Sequence, residues 1–194
     1  MHEGIVLDLP FKGDRDYLRM ADLFPAIQEV AQDQFGALAQ VSSLIVRRPL
    51  MRAIQVSFQP VEGCSGSFRV RHDGENIAGW LVETDQQVSR RVPYDSSPIP
   101  AAAVSGPDFA RILDPLPGFS PFDILVSLSK IVGAQRTPRP WWLCQLNLDT
   151  PFTERFPIEV RVLHWLGGRF AVFNVLQADT VIGSFRAILG GTSI

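Results

Sequence analysis

Residues 54–84, IQVSFQPVEGCSGSFRVRHDGENIAGWLVET, align without a gap on residues 158–188, IEVRVLHWLGGRFAVFNVLQADTVIGSFRAI, which begin 104 positions later in the chain. Both stretches are rich in Val, Ile and Phe and are interrupted by short turn-forming segments, as is typical of antiparallel strands. Four aligned positions are identical, including Gly63 with Gly167 and Gly79 with Gly183. Because strand phases, turns and the late glycine coincide, the alignment favours an internal repeat. The alternative is that any two meanders of similar length align in this way.

A strongly apolar helix is predicted upstream of each stretch. Residues 17–35 carry apolar side chains around most of the central turns, and a helix of this kind is expected to be buried. Pro25 cannot lie deep inside it, so either Asp22 caps a helix that has Pro25 in its first turn, or the helix is kinked. We favour the cap. The second helix is predicted to start after Ser120, with Pro121 at its first position.

Four strands are predicted to follow each helix, and a short one precedes the first. The predicted strands are residues 4–11, 41–48, 52–59, 65–71, 77–84, 141–148, 158–164, 170–176 and 181–189. The predicted fold class is therefore α+β, with two tandem halves that each pack a buried helix on an antiparallel sheet, the strands of both halves forming one continuous sheet. The halves are residues 1–84 and 119–194. Residues 85–118 are predicted to be a Pro- and Ser-rich linker with a short helix capped by Ser105.

The composition is that of an ordinary globular protein. Hydrophobic residues make up 46% and charged residues 20% of the 194 positions, which argues against disorder. The net charge of −2 provides no basic field for nucleic acid or an anionic membrane. The two cysteines lack a metal-like spacing, and no apolar run reaches the ~18 residues of a membrane span. With no signal peptide recognised at the amino terminus, we expect a cytoplasmic protein.

The order of elements resembles the hot-dog superfamily, in which a long antiparallel sheet wraps around a central helix. The resemblance covers residues 4–84 and 119–190 and rests on the order of elements rather than on a catalytic motif. Members include acyl thioesterases, hydroxyacyl thioester dehydratases and tandem double hot-dog enzymes. The resemblance implies an acyl thioester of coenzyme A or of an acyl carrier protein as the partner, held beside the amino end of a helix. It also implies that helix N–H groups hold the carbonyl while a carboxylate or histidine activates water or moves a proton.

Asp123 is the first candidate for a catalytic acid. It lies three residues after Ser120, at the amino end of the second predicted helix, amid the apolar residues Phe119, Phe122 and Leu125. A carboxylate in such surroundings could act as a general base. The competing interpretation is a capping box, in which Asp123 and Ser120 exchange hydrogen bonds and Asp replaces the usual Glu.

Asp22 and Glu29 are the corresponding candidate acids of the first helix. Asp22 is also the expected cap, and Glu29 lies on either a buried or a polar side of the helix. Arg136 and Arg139 follow the second helix, where they could bind a coenzyme phosphate or complement the carboxyl end of that helix. The histidine that superfamily dehydratases carry before the helix is not visible here, since the histidines are His2, His72 and His164.

Four functions therefore remain open. The first is hydrolysis of a coenzyme A or carrier-protein thioester, and the second is a non-catalytic hot-dog protein that binds an acyl chain or a partner protein. A dehydratase-like enzyme is a further alternative, and an unrelated α+β assembly module without a ligand is the last. No zinc motif, phosphate-binding glycine loop or dinucleotide fingerprint occurs in the sequence, so no metal or cofactor is expected. The expected partners exclude nucleic acid and membrane, and a homodimer is a further expectation.

Overall fold

The computed structural model describes residues 4–138, 141–166 and 169–189, and it divides the chain into two compact units. The first unit ends at Tyr94 and the second begins at Asp95. Each unit contains one long helix and one antiparallel sheet, which confirms the predicted α+β class with two tandem halves. Among the described helices, none has both the length and the apolar character that crossing a membrane requires.

The first unit packs helix α1 on a five-stranded antiparallel sheet with the strand order β1-β4-β6-β5-β3. A separate two-residue parallel pair joins β2 to β7. The elements are β1 (Ile5–Leu7), β2 (Phe11–Lys12), α1 (Met20–Phe35), β3 (Gln40–Val46), β4 (Arg52–Ser57), β5 (Gly66–His72), β6 (Glu75–Gln87) and β7 (Arg91–Val92). Ile27 of α1, Leu44 of β3 and Leu81 of β6 are completely buried and belong to the core of this unit.

The second unit packs helix α3 on six antiparallel strands in the order β10-β13-β12-β11-β9-β8. The elements are α2 (Pro98–Ala102), β8 (Val104–Gly106), β9 (Phe109–Ile112), α3 (Pro121–Ala134), β10 (Trp141–Leu148), β11 (Ile158–Leu166), β12 (Phe170–Gln177) and β13 (Thr180–Leu189). Helix α3 contacts mainly β11, β9 and α2. Leu128 on α3 is completely buried, as are Phe173 and Val160 in the sheet.

Helix α1 ends at Phe35 as predicted, but its start and its burial differ from the prediction. It begins at Met20, so Asp22 lies inside the first turn and is not the cap, and Pro25 lies inside a continuous helix. Arg19 occupies the cap position without a side-chain capping bond. The carboxyl-terminal half of α1 also has an exposed side, which includes Glu29, so this helix is not buried all round. A carboxylate in the first turn complements the positive end of the helix dipole without being the cap.

The segment 85–118 contains regular structure that the sequence did not indicate. The short helix predicted after Ser105 is wrong, because Ser105 lies in β8 and Phe109–Ile112 form β9. The short helix of this segment is instead α2, at Pro98–Ala102. Strand β9 pairs with β11, and this pairing buries Ala110 and Ile112 completely or nearly so. The predicted boundaries at residues 84 and 119 stay a prediction.

The two units connect their strands differently, although the aligned stretches both form hairpins. Strands β5 and β6 of the first unit correspond to β12 and β13 of the second, and each couple is paired. In the antiparallel sheet of the first unit, the last strand along the chain is β6, which lies between β5 and β4. In the sheet of the second unit, the last strand is β13, which lies between β12 and β10. The repeat therefore holds for the local hairpin and not for the whole strand order of each unit.

Candidate functional site

Asp123 occupies the third position of α3 and is buried. Its Oδ2 accepts hydrogen bonds from the Ser120 hydroxyl at 2.7 Å and the Ser120 backbone N–H at 3.3 Å. In return, the Asp123 N–H donates to Ser120 Oγ at 3.0 Å. The predicted capping box is therefore present, and it holds the carboxylate at the amino end of the helix.

The capping box also engages donors that an oxyanion would need. Pro121 has no N–H, the Asp123 N–H donates to Ser120 Oγ, and the Ile124 N–H donates to the Ser120 carbonyl at 3.1 Å. The Asp123 amide is thus used by the cap and the Ile124 amide by the first hydrogen bond within the helix, while Pro121 supplies no amide. A carbonyl bound through the Asp123 amide would have to displace the cap.

Asp22 lies in a cluster of charged and aromatic side chains that the sequence did not reveal. Arg19 Nε and Nη2 donate to Asp22 Oδ2 and Oδ1 at 2.8 and 2.9 Å, a bidentate ion pair in which both residues are buried. Lys12 Nζ lies 2.6 Å from Oδ1 of the same carboxylate. Both oxygens of Asp22 are therefore bound by cations.

Tyr94 forms the aromatic wall of this cluster. The Arg19 guanidinium carbon lies 4.0 Å from the centroid of the Tyr94 ring, and Lys12 Nζ lies 5.6 Å from it. Burial alone would lower the pKa of Arg19, but the hydrogen bond and charge of Asp22, together with Tyr94, raise this pKa above its usual range. The guanidinium thus stays charged, and the cluster is a fixed ion pair backed by an aromatic ring.

The remaining predicted site residues have other surroundings. Glu29 is exposed on the polar side of α1. Arg136, just after α3, forms an ion pair with Asp108, donates to the Pro107 carbonyl at 3.3 Å and lies 4.8 Å from the ring centroid of Trp165. Arg136 therefore ties the end of α3 to the turn between β8 and β9. Arg139 lies outside the described residues.

The described histidines do not precede either long helix. His72 ends β5, where its Nε2 lies 3.3 Å from Asp73 Oδ2 and its ring lies 6.2 Å from that of Phe35. The buried Nδ1 of His72 has no hydrogen-bond partner. His164 is exposed on β11. Over the described residues, no group of three His, Cys, Asp or Glu side chains is arranged to hold a metal ion.

Sequence reasoning missed the roles of Arg19 and Tyr94. Lys12 and Arg15 stand in a charged segment before α1, where Asp14 and Asp16 balance their charge and leave no local signal for an ion pair with Asp22. Tyr94 follows the parallel pairing of β7 with β2, and such a pairing of two-residue strands has no recognisable pattern in the sequence. The cluster therefore depends on a contact between distant segments.

No family model and no curated protein matches the chain. Among solved structures, the dehydratase domain of PpsC from Mycobacterium tuberculosis, in complex with C12:1-CoA, is 12% identical and covers 95% of this chain and 87% of its own, with a TM-score of 0.53. The dehydratase domain of a mycocerosic acid synthase-like polyketide synthase is 14% identical, covers 91% and 83% of the two chains and has a TM-score of 0.49. The erythromycin dehydratase is 11% identical over 96% and 84%, with a TM-score of 0.45. Together with the helix and antiparallel sheet of each unit, the PpsC match shows that this chain has the hot-dog fold.

Proposed function

We propose that this chain binds an acyl thioester of coenzyme A or of an acyl carrier protein and hydrolyses it. The observation that carries the proposal is the shared fold with a dehydratase domain described in complex with C12:1-CoA, over nearly the whole of both chains. At this identity the match concerns fold, so the reaction must be argued from the residues of this chain.

Asp123 is the residue to which we assign the proton transfer. A water molecule would lose a proton to the Asp123 carboxylate while its oxygen attacks the thioester carbonyl, and the carbon–sulfur bond would then break as the thiol leaves with a proton. The capping box supports this role by fixing the carboxylate at a helix amino end, where positive potential favours developing negative charge. Arg136 and Arg139, the two arginines predicted for phosphate binding, would bind a phosphate of the carrier group.

Hydrolysis of a panel of acyl-CoA thioesters, followed by release of free thiol, tests the assignment. Asp123→Asn keeps an acceptor oxygen for the cap, so the variant should fold while turnover falls by about 100-fold or more. Asp114→Asn, a change at an exposed acid of the same unit, is the matched control and should leave turnover unchanged. Wild-type turnover in folded Asp123→Asn would exclude Asp123 as the base.

A dehydratase-like reaction is the second candidate, because the structural neighbours are themselves dehydratase domains. Against it, no histidine occurs in residues 13–19 before α1 or in residues 118–120 before α3. A dehydratase mechanism in this chain would therefore need a proton donor other than a histidine placed before the helix. Incubation with a 2-enoyl-CoA separates the two reactions, because hydration gives a 3-hydroxyacyl-CoA and releases no free thiol, whereas hydrolysis releases coenzyme A as a free thiol.

A non-catalytic role in acyl-chain binding is the third candidate. It is favoured by the carboxylates themselves, since Asp123 is engaged by Ser120 and Asp22 by Arg19 and Lys12. In that case acyl-CoA should bind without any turnover, and Asp123→Asn should change only the free energy of unfolding, by about 0.5–2 kcal/mol.

A further inference from the structure

The sheet of the second unit has one face that α3 does not cover, and its side chains form a regular grid. Directly opposed residues of antiparallel strands project to the same face, so the pairing register defines rows across β11, β12, β13 and β10. We call the following twelve positions the outer face: Leu166–Phe170–Ile188–Trp142, His164–Val172–Arg186–Gln145 and Arg161–Asn174–Ser184–Asn147.

The first row of the outer face is wholly apolar and partly open to solvent. Leu166 is 49% exposed and Ile188 is 40% exposed, while Phe170 and Trp142 are half-buried. The residues between these positions on β12 and β13, such as Ala171 and Ala187, are buried in the core, so the row is the outward set of an alternating pattern. Four apolar side chains in contact across four strands form a continuous patch rather than scattered exposure.

The other two rows give the outer face a positive charge. Arg186 is exposed and lies 5.4 Å from the ring centroid of Phe170, so a cation borders the apolar row. The Arg161 side chain remains 57% exposed despite its ion pair with Glu159, which is itself only 4% exposed. None of the twelve positions carries a carboxylate.

The size of the outer face limits what can cover it. Four strands spaced about 4.8 Å apart and rows about 6.8 Å apart span roughly 14 by 14 Å between outermost positions. An α-helix is about 10–12 Å wide, so one helix fits the grid. A second copy of the same face is a poor occupant, because none of the twelve positions supplies a carboxylate for the arginines of the other copy.

We infer that the outer face docks an acidic amphipathic helix, whose apolar residues lie along the Leu166–Trp142 row and whose carboxylates face Arg161 and Arg186. Complementary charge of this kind guides encounter and fixes orientation. The identity of the partner rests on the proposed function, and a partner of this chemistry is then an acyl carrier protein. An anionic membrane is disfavoured because Gln145, Asn147 and Asn174 would lose water without gaining partners.

Binding of a fluorescently labelled acyl carrier protein to the full chain, followed by anisotropy, tests the inference. The double variant Arg161→Glu/Arg186→Glu should raise the Kd by about tenfold or more, and added salt should weaken wild-type binding. Arg69→Glu/Arg155→Glu, which reverses two exposed arginines that are not among the twelve positions of the outer face, is the charge-matched control and should change the Kd less than about twofold. Leu166→Ser tests the apolar row without altering charge.

Three results would overturn the inference: no binding of the carrier protein by the wild-type chain, equal weakening in the control, or a loss confined to binding of anionic lipid vesicles. Unchanged thermal unfolding of each variant shows that the fold is intact. Turnover of acyl-CoA, which has no protein to dock, reports on the proposed function separately. Carrier binding that depends on Arg161 and Arg186 without acyl-CoA turnover would reject hydrolysis and keep the docking surface.

Discussion

Asp22 shows how strongly one buried carboxylate depends on its partners. Arg19 and Asp22 are 7% and 8% exposed, and removal of one member of such a pair leaves an uncompensated charge. Asp22→Ala should therefore lower the free energy of unfolding by about 3–5 kcal/mol, measured by urea denaturation. Asp33→Ala, at an exposed position of the same helix, is the control and should stay within about 0.5 kcal/mol of wild type.

The cluster around Asp22 also offers a test of whether the charge or the packing matters. Replacement of both partners by apolar residues of similar volume, as in Arg19→Met/Asp22→Leu, removes the desolvated charges together. We expect this double variant to recover much of the stability that Asp22→Ala loses. An equally large loss in the double variant would show that Lys12 and the Tyr94 ring need the ion pair for their own placement.

The two cysteines should differ in reactivity. Burial raises the pKa of the Cys144 thiol, and the nearby charge of Arg186 only partly opposes this shift, whereas Cys64 is half-buried. Because the thiolate is the reactive form, Cys144 should react with Ellman's reagent more slowly than Cys64 at neutral pH. The reaction rate of Cys144 should still rise near pH 9, where ordinary thiols have largely ionised. Cys64→Ser and Cys144→Ser separate the two rates, and faster labelling of Cys144 would contradict its burial.

At the scale of strands, the aligned glycines Gly79 and Gly183 have different neighbours. A Cβ on Gly79 would lie 2.1 Å from Cζ of the buried Phe68 ring, whereas a Cβ on Gly183 would lie 2.2 Å from the backbone oxygen of Asn147. Either Gly→Ala change should cost about 1–3 kcal/mol in denaturant unfolding. Gly79→Ala combined with Phe68→Leu should cost less than the sum of the single changes, because the ring is the obstacle.

No side-chain truncation should offer the same relief to Gly183→Ala, since its obstacle is a neighbouring strand. If Gly183→Ala is neutral, the close approach of β13 to β10 at this point is wrong.

Most strands could be predicted from the sequence because their alternation and turns are local properties. Trp141–Leu148 matches its predicted range fully, and α3 starts where Ser120 and Pro121 indicate. Residues 105–113 were misread because Phe109 and Ile112 are three apart, a spacing shared by a helix face and by a short irregular strand. What makes this segment β9 is its pairing with β11, about fifty residues later, and short-range patterns do not contain that information.

Whole-molecule properties were the least visible in the sequence. A net charge of −2 excludes a general basic field, yet the strand register gathers Arg161 and Arg186 on one face, none of whose twelve positions carries a carboxylate. The same limit applies to the candidate site, where the local capping box of Asp123 was predictable and the contacts of Asp22 with Lys12 were not. Function therefore depends on pairings that only the folded chain specifies.

Thermal unfolding of the whole chain gives the broadest test of acyl-thioester binding. A ligand that binds only the folded state at about 100 times its Kd stabilises that state by about 2.7 kcal/mol. For a chain of this size, such a gain should raise the Tm by about 5–10 °C. A medium-chain acyl-CoA should produce this shift, and coenzyme A without the acyl group should produce a smaller one, because it lacks the apolar chain that burial favours. Unfolding curves that coincide with and without every acyl-CoA in the panel would contradict thioester binding, whatever the reaction.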